Sequence, residues 1–77
     1  MPPRLRLLHA RESLRKSSIE YWRNRETREI VDSLRPSSPF GELMVRADGT
    51  VINGNTRLLI LIERGFEVES LPRVPYP

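Results

Sequence analysis

The chain contains no cysteine. That absence removes a disulfide framework, a thiolate metal site and a cysteine nucleophile or redox centre at one stroke. Histidine is nearly as scarce: His9 stands alone with Glu12 as its nearest acid, and without a second histidine or cysteine it makes no metal site. Long apolar runs are also missing. The longest, Leu58 to Ile62, covers five residues, far short of a membrane span, and the start MPPRLRLLHA lacks the apolar stretch of a signal peptide. A soluble, cytoplasmic protein with no membrane partner is therefore expected. The seven serines have no recognisable base beside them, which leaves a hydrolase triad unsupported. Neither an internal repeat nor a low-complexity tract is present.

What the 77 residues do contain is 38% apolar and 30% charged side chains with seven prolines, a globular composition with much irregular backbone. A single domain over 1–77 is expected, with a basic N-terminal segment at 1–16, a core at 17–71 and a proline-rich tail at 72–77. At this length the core is thin, so a homodimer or a protein partner is expected to support it. Residues 1–36 carry nine basic side chains against five acids, whereas residues 37–77 carry four against five. The positive field belongs to the first half. All the cations except Lys16 are arginine, whose planar fork suits phosphate or carboxylate, and this points to an anionic partner as readily as to a solvated surface.

Arg4 to Leu8 reads as a short edge strand after Pro2 and Pro3. Ser17 to Glu20 matches a capping box, and Ile19, Trp22, Ile30, Val31 and Leu34 recur at helical spacing, which predicts helix within 18–35. The polar stretch from Arg23 to Glu29 leaves two readings open: one continuous rod, or a break where Asn24 or Thr27 caps a second helix. Pro36 and Pro39 end the helical region. Glu42 to Arg46 reads as a strand, Asp48-Gly49 as a hairpin turn, and Thr50 to Ile52 as the partner strand. Asn55 or Thr56 then caps an apolar helix over 57–64, with Gly65 as its left-handed terminator. Phe66, Val68 and Leu71 suggest a last strand, and Glu63, Arg64, Glu67 and Glu69 an ordinary solvated face.

The junction Asn53 to Arg57 carries the most chemistry. A strand that passes through a glycine into a helix start aims unpaired amides and the positive end of the helix dipole at one point. Gly54 lets a phosphate approach the backbone, Asn55 and Thr56 add donors, and Arg57 supplies a guanidinium. The same residues also fit a plain turn with a cap and a solvated arginine. Arg23, Arg25 and Arg28 around Trp22 are candidate nucleic-acid contacts, able to hold phosphates while the indole stacks on a base. The alternative is a core tryptophan with arginines in water.

The order of helix, proline-containing loop, strand, Asp-Gly turn, strand and a G-x-x-R box opening an apolar helix resembles the ParB/sulfiredoxin superfamily domain. IVDSLRP at 30–36, ELMVRADGTVINGNTR at 42–57 and LLILIERGF at 58–66 carry the likeness. It implies an α+β fold with a short mixed sheet packed on two or three helices. It also implies a nucleotide-triphosphate pocket, with Gly54 and Arg57 at the two fixed positions and ATP or CTP with Mg as candidate cofactors. The chain departs from the family between those positions. ParB carries an acidic residue and a further arginine where Asn55 and Thr56 stand, which speaks against CTP hydrolysis. Sulfiredoxin places its reactive cysteine at the position of Asn55, so sulfinic-acid repair is excluded. Asn53 replaces an aspartate common in relatives and cannot act as a general base. The chain also stops soon after its last expected strand, without room for the helix-turn-helix and dimerisation domains of a full ParB.

Two function classes follow. The first is a non-catalytic nucleotide- or phosphate-binding regulatory module associated with nucleic acid, as one component of a toxin–antitoxin or plasmid-maintenance pair. The second is a nucleotide-dependent enzyme, a phosphotransferase or nuclease using the G-x-x-R turn, for which the sequence offers no evident base.

Overall fold

The computed structural model describes residues 3–9 and 11–76. The chain runs through β1 (Arg6–Leu7), a 3₁₀ turn at Arg11–Ser13, α1 (Lys16–Arg23), α2 (Thr27–Ser33), β2 (Met44–Val45) and β3 (Thr50–Asn53). It continues through α3 (Asn55–Glu63), a second 3₁₀ turn at Val68–Ser70 and β4 (Val74–Pro75). The four strands form one mixed sheet in the order β1-β3-β2-β4. β1 lies parallel to β3 at one edge, β3 and β2 are antiparallel, and β4 lies parallel to β2 at the other edge. The result is a small α+β domain. Its Cα radius of gyration of 11.5 Å equals the ~11.5 Å expected of a compact chain this long.

The hairpin is the most local part of the fold. The Gly49 amide donates to the Arg46 carbonyl at 3.0 Å, and the Arg46 amide to the Thr50 carbonyl at 2.9 Å, as the Asp48-Gly49 pair predicts. Beside it, α3 supplies the centre of the core: Leu58, Ile60 and Leu61 are buried together with Ile30, Leu34, Leu43 and Val51. Of the apolar run in this helix only Ile62 is largely exposed, at 49%. Gly65 ends α3 in the left-handed conformation, with φ of 78°. The Phe66 amide donates to the Leu61 carbonyl and the Gly65 amide to the Ile62 carbonyl, which is the Schellman pairing.

Several expectations are corrected. Of the two readings left open the helical region takes the break, giving two helices, but neither Asn24 nor Thr27 caps the second. Asn24 instead closes α1, its Nδ2 donating to the Glu20 carbonyl at 2.8 Å, and the Thr27 hydroxyl accepts from Arg64 Nη1 at 3.0 Å. The capping box does not form, because the Ile19 amide already bonds the Arg15 carbonyl and Ser17 therefore lies inside the first turn. The last strand is not at 66–71. Val68 and Leu71 are drawn into the core and wind the chain into a 3₁₀ turn, and the strand forms in the proline-rich tail. There the Val74 and Tyr76 amides bond the carbonyls of Leu43 and Val45, so Pro75, which has no N–H, faces away from the ladder at an edge.

The presumed solvated face is structural as well. Arg64 Nη2 donates to the Arg23 carbonyl at 2.9 Å and so joins the end of α3 to the end of α1. The Glu69 carboxylate accepts the Leu5 amide and pairs with Arg73 at 2.7 Å. No helix among the described residues is long and apolar enough to cross a membrane.

Candidate functional site

The start of α3 follows β3 directly. Gly54 sits at the junction with φ of 105°, a conformation that L side chains rarely adopt. A Cβ built there would lie 2.9 Å from Leu34 Cδ2. The glycine is therefore required by the backbone turn and the core beneath it. No side chain caps α3, so its first-turn amides have no side-chain acceptor. Asn53 to Arg57 line a polar cleft of about 390 Å³.

Neither asparagine is a free donor. Asn55 is buried; its Nδ2 donates to the Val51 carbonyl at 3.0 Å and its Oδ1 accepts the Leu8 amide at 2.7 Å. The residue read as a cap or ligand is thus a clasp joining β1, β3 and α3. Asn53 Nδ2 donates to the Glu42 carbonyl at 2.8 Å and ties β3 to the loop before β2. Thr56, half-buried, keeps its place in the cleft wall without such a bond among the described residues.

Arg57 is the unusual member. Only 5% of it is exposed, yet no carboxylate partners it among the described residues. Its Nη1 donates to the carbonyl of Ser33 at 3.0 Å and to the Ser33 hydroxyl at 3.2 Å, and its guanidinium carbon stands 5.3 Å from the centre of the Trp22 ring. Burial pulls its pKa down, but arginine still remains charged. A buried cation held by neutral acceptors and a ring face has unspent capacity for an anion.

The opposite wall comes from the first half of the chain. His9, Ser13 and Arg15 face this cleft together with Ser18 and Trp22 of α1, and none of the lining residues is acidic. Arg15 is exposed and has no partner among the described residues. Arg15 and Ser33 were not singled out from the sequence. Ser33 could have been, since a serine between Ile30 and Leu34 on an apolar helical face needs a polar partner. With no carboxylate in the cleft, a Mg ion there would have to arrive on phosphates. No group of three or more His, Cys, Asp or Glu able to hold a metal occurs among the described residues.

Two of the three candidate nucleic-acid arginines are paired, each with a different partner. Arg23 pairs with Glu63 at 2.9 Å, and Arg25 lies 3.6 Å from Glu29 and over the Tyr21 ring. Arg28 is exposed, with no partner among the described residues. Trp22 is half-buried against the core, so its indole is not a free stacking platform. Its far side borders a second, apolar cleft of about 440 Å³ between α1, α2 and residues 36–40. No family model, curated protein or solved structure matches the chain.

Proposed function

We propose that this chain is a small phosphate- or nucleotide-binding regulatory module that acts beside nucleic acid, built on the ParB/sulfiredoxin plan. The observation that carries the reading is Arg57: a buried guanidinium without a carboxylate, in a cleft lined by no acid, at the uncapped start of α3. Helix-start amides, one buried cation and the exposed Arg15 form a set suited to phosphate oxygens. Gly54 at a strand-to-helix junction, followed by Arg57 and an apolar helix closed by Gly65, supports the family plan. The small size and basic first half fit one partner of a toxin–antitoxin or plasmid-maintenance pair. His9 in the cleft wall supports a second reading, a nucleotide-dependent phosphotransferase or nuclease with that imidazole as the base.

Calorimetric titration with inorganic phosphate, ATP, CTP, GTP and a short oligonucleotide tests the proposal. At least one phosphate ligand should bind, and Arg15→Ala and Thr56→Asp should each weaken it at least ~5-fold, the second by placing a like charge against the ligand. Binding that ignores both changes, or no binding by any of the ligands, would overturn the site. Turnover of ATP or CTP that disappears in His9→Ala would favour the enzyme.

A further inference from the structure

Fixed charge in the polar cleft is all of one sign. The buried Arg57 and the exposed Arg15 both line it, and no lining residue is acidic. Arg57 has only Nη1 occupied, by the carbonyl and hydroxyl of Ser33; its Nε and Nη2 have no acceptor among the described residues. Among those residues no buried side-chain nitrogen is left unpaired, so these two donors reach a surface, and Arg57 lines the polar cleft but not the apolar one. Nε and Nη2 lie along one edge of the guanidinium, the fork that takes two oxygens of a single anion. The backbone adds to this. The first bond within α3 runs from the Leu58 amide to the Gly54 carbonyl at 2.9 Å, which leaves the amides of Asn55, Thr56 and Arg57 outside the helical ladder and without a side-chain cap.

The balance of charge selects among phosphates. A backbone diester, with a single charge, would leave one of the two guanidiniums unmatched. A terminal monoester carries about two charges near neutral pH and three free oxygens, enough for the Arg57 edge, Arg15 and the helix-start amides together. A triphosphate carries about two charges more, ordinarily offset by Mg held on the phosphates and on one or two protein carboxylates, and the lining supplies no carboxylate. The volume of about 390 Å³ agrees, since it lies near the lower end of the ~300–1,000 Å³ of small-molecule sites.

Resting on the anion-site reading above, we propose that the polar cleft takes a terminal phosphate monoester as its dianion and without a metal ion, on a nucleoside 5′-monophosphate or the 5′ end of a strand, its two charges shared between the Nε–Nη2 edge of Arg57 and Arg15.

Calorimetry on the full chain at pH 8, where such monoesters are doubly charged, compares AMP with 3′,5′-cyclic AMP, which keeps the base and sugar and carries one charge less. AMP should bind ~10-fold more tightly or better, as the loss of a charge-assisted hydrogen bond implies. Magnesium chloride should change AMP affinity by no more than ~2-fold and should not bring ATP above AMP. Arg15→Gln, a change at an exposed side chain, should weaken AMP ~5-fold or more and cyclic AMP ~2-fold or less, whereas a folding defect would lower both alike. A gain in affinity from a 5′-phosphate on a short oligonucleotide assigns the monoester to a strand end; no gain assigns it to the free nucleotide. Equal affinity for AMP and cyclic AMP, tighter binding of ATP with Mg than of AMP, or an unchanged ratio in Arg15→Gln would each overturn the dianion while leaving an anion site in place. If none of inorganic phosphate, AMP and ATP binds, the anion site falls together with it.

Discussion

The two clefts on either side of Trp22 are similar in size and opposite in how their charges are satisfied. In the polar cleft a buried arginine finds only a serine and a ring face. In the apolar cleft each rim arginine has a carboxylate. Cavity volume thus says little about the kind of ligand here, whereas the unmet requirement of the lining groups says a good deal. Trp22 belongs to both linings, so the clefts share a wall as well as differing across it.

The largest effect should come from removing the buried cation. Arg57→Ala leaves the Ser33 carbonyl without its donor and opens a void, which should cost about 2–4 kcal/mol in chemical denaturation. At a temperature where the variant remains folded, phosphate-ligand binding should be lost. Binding that survives would take the buried cation out of the polar cleft's site.

Next in size is Gly54→Ala, expected to destabilise by about 1–3 kcal/mol through the left-handed backbone and the approach to Leu34. That loss should appear without any ligand, which separates a glycine needed by the core from one needed by an anion. Trp22→Phe touches the shared wall and should remove about 0.5–1 kcal/mol of contact with Arg57 while weakening the phosphate ligand. Unchanged phosphate affinity would show that the ring face plays no part in that site.

Smaller still is the triple change of Arg23, Arg25 and Arg28 to alanine. With Arg23 and Arg25 already facing Glu63 and Glu29, the plot of log affinity against log salt for duplex DNA should flatten by only about one unit. A flattening near three would restore these arginines as the main anionic surface. Asp48→Asn is the control that leaves both clefts alone. The Thr50 amide, then the Thr50 hydroxyl, hold the Asp48 pKa below its ordinary value of 3.8. A carboxylate lowered on folding contributes stability above that value and loses it as pH falls through the folded one. The variant should show a flatter acid limb below about pH 4 with phosphate-ligand affinity unchanged.

Local signals were legible in the sequence and distant ones were not. Asp48-Gly49 fixed the hairpin because the turn and its two strands are consecutive, and Gly65 ended α3 for the same reason. The strand in the proline-rich tail was hidden, since its ladder partner lies some 30 residues earlier in the chain. Asn55 looked like a cap because its true acceptor and donor, Val51 and Leu8, come together only when three elements meet. The turn at Asn53 to Arg57 lines a cleft in which the asparagines hold the scaffold, Gly54 fits the core and Arg57 lies buried under Trp22. Composition shows that an arginine is present; only packing decides whether it is paired.

The hold on β1 has a consequence for the order in which the molecule assembles on the ribosome. This two-residue strand is steadied from the far end of the chain, by the Glu69 carboxylate on the Leu5 amide and by Arg73, which donates to the Pro3 carbonyl. Residues 3–7 are synthesised long before residues 69–73, so the hairpin and α3 can form while the first strand still lacks its fastening. Closing a loop of this length is an entropic cost met late, and it should set the folding rate more than the helices do. During synthesis β1 can pair with β3 and be clasped by Asn55 once those residues are made, while its further fastening waits until residues 69–73 have emerged.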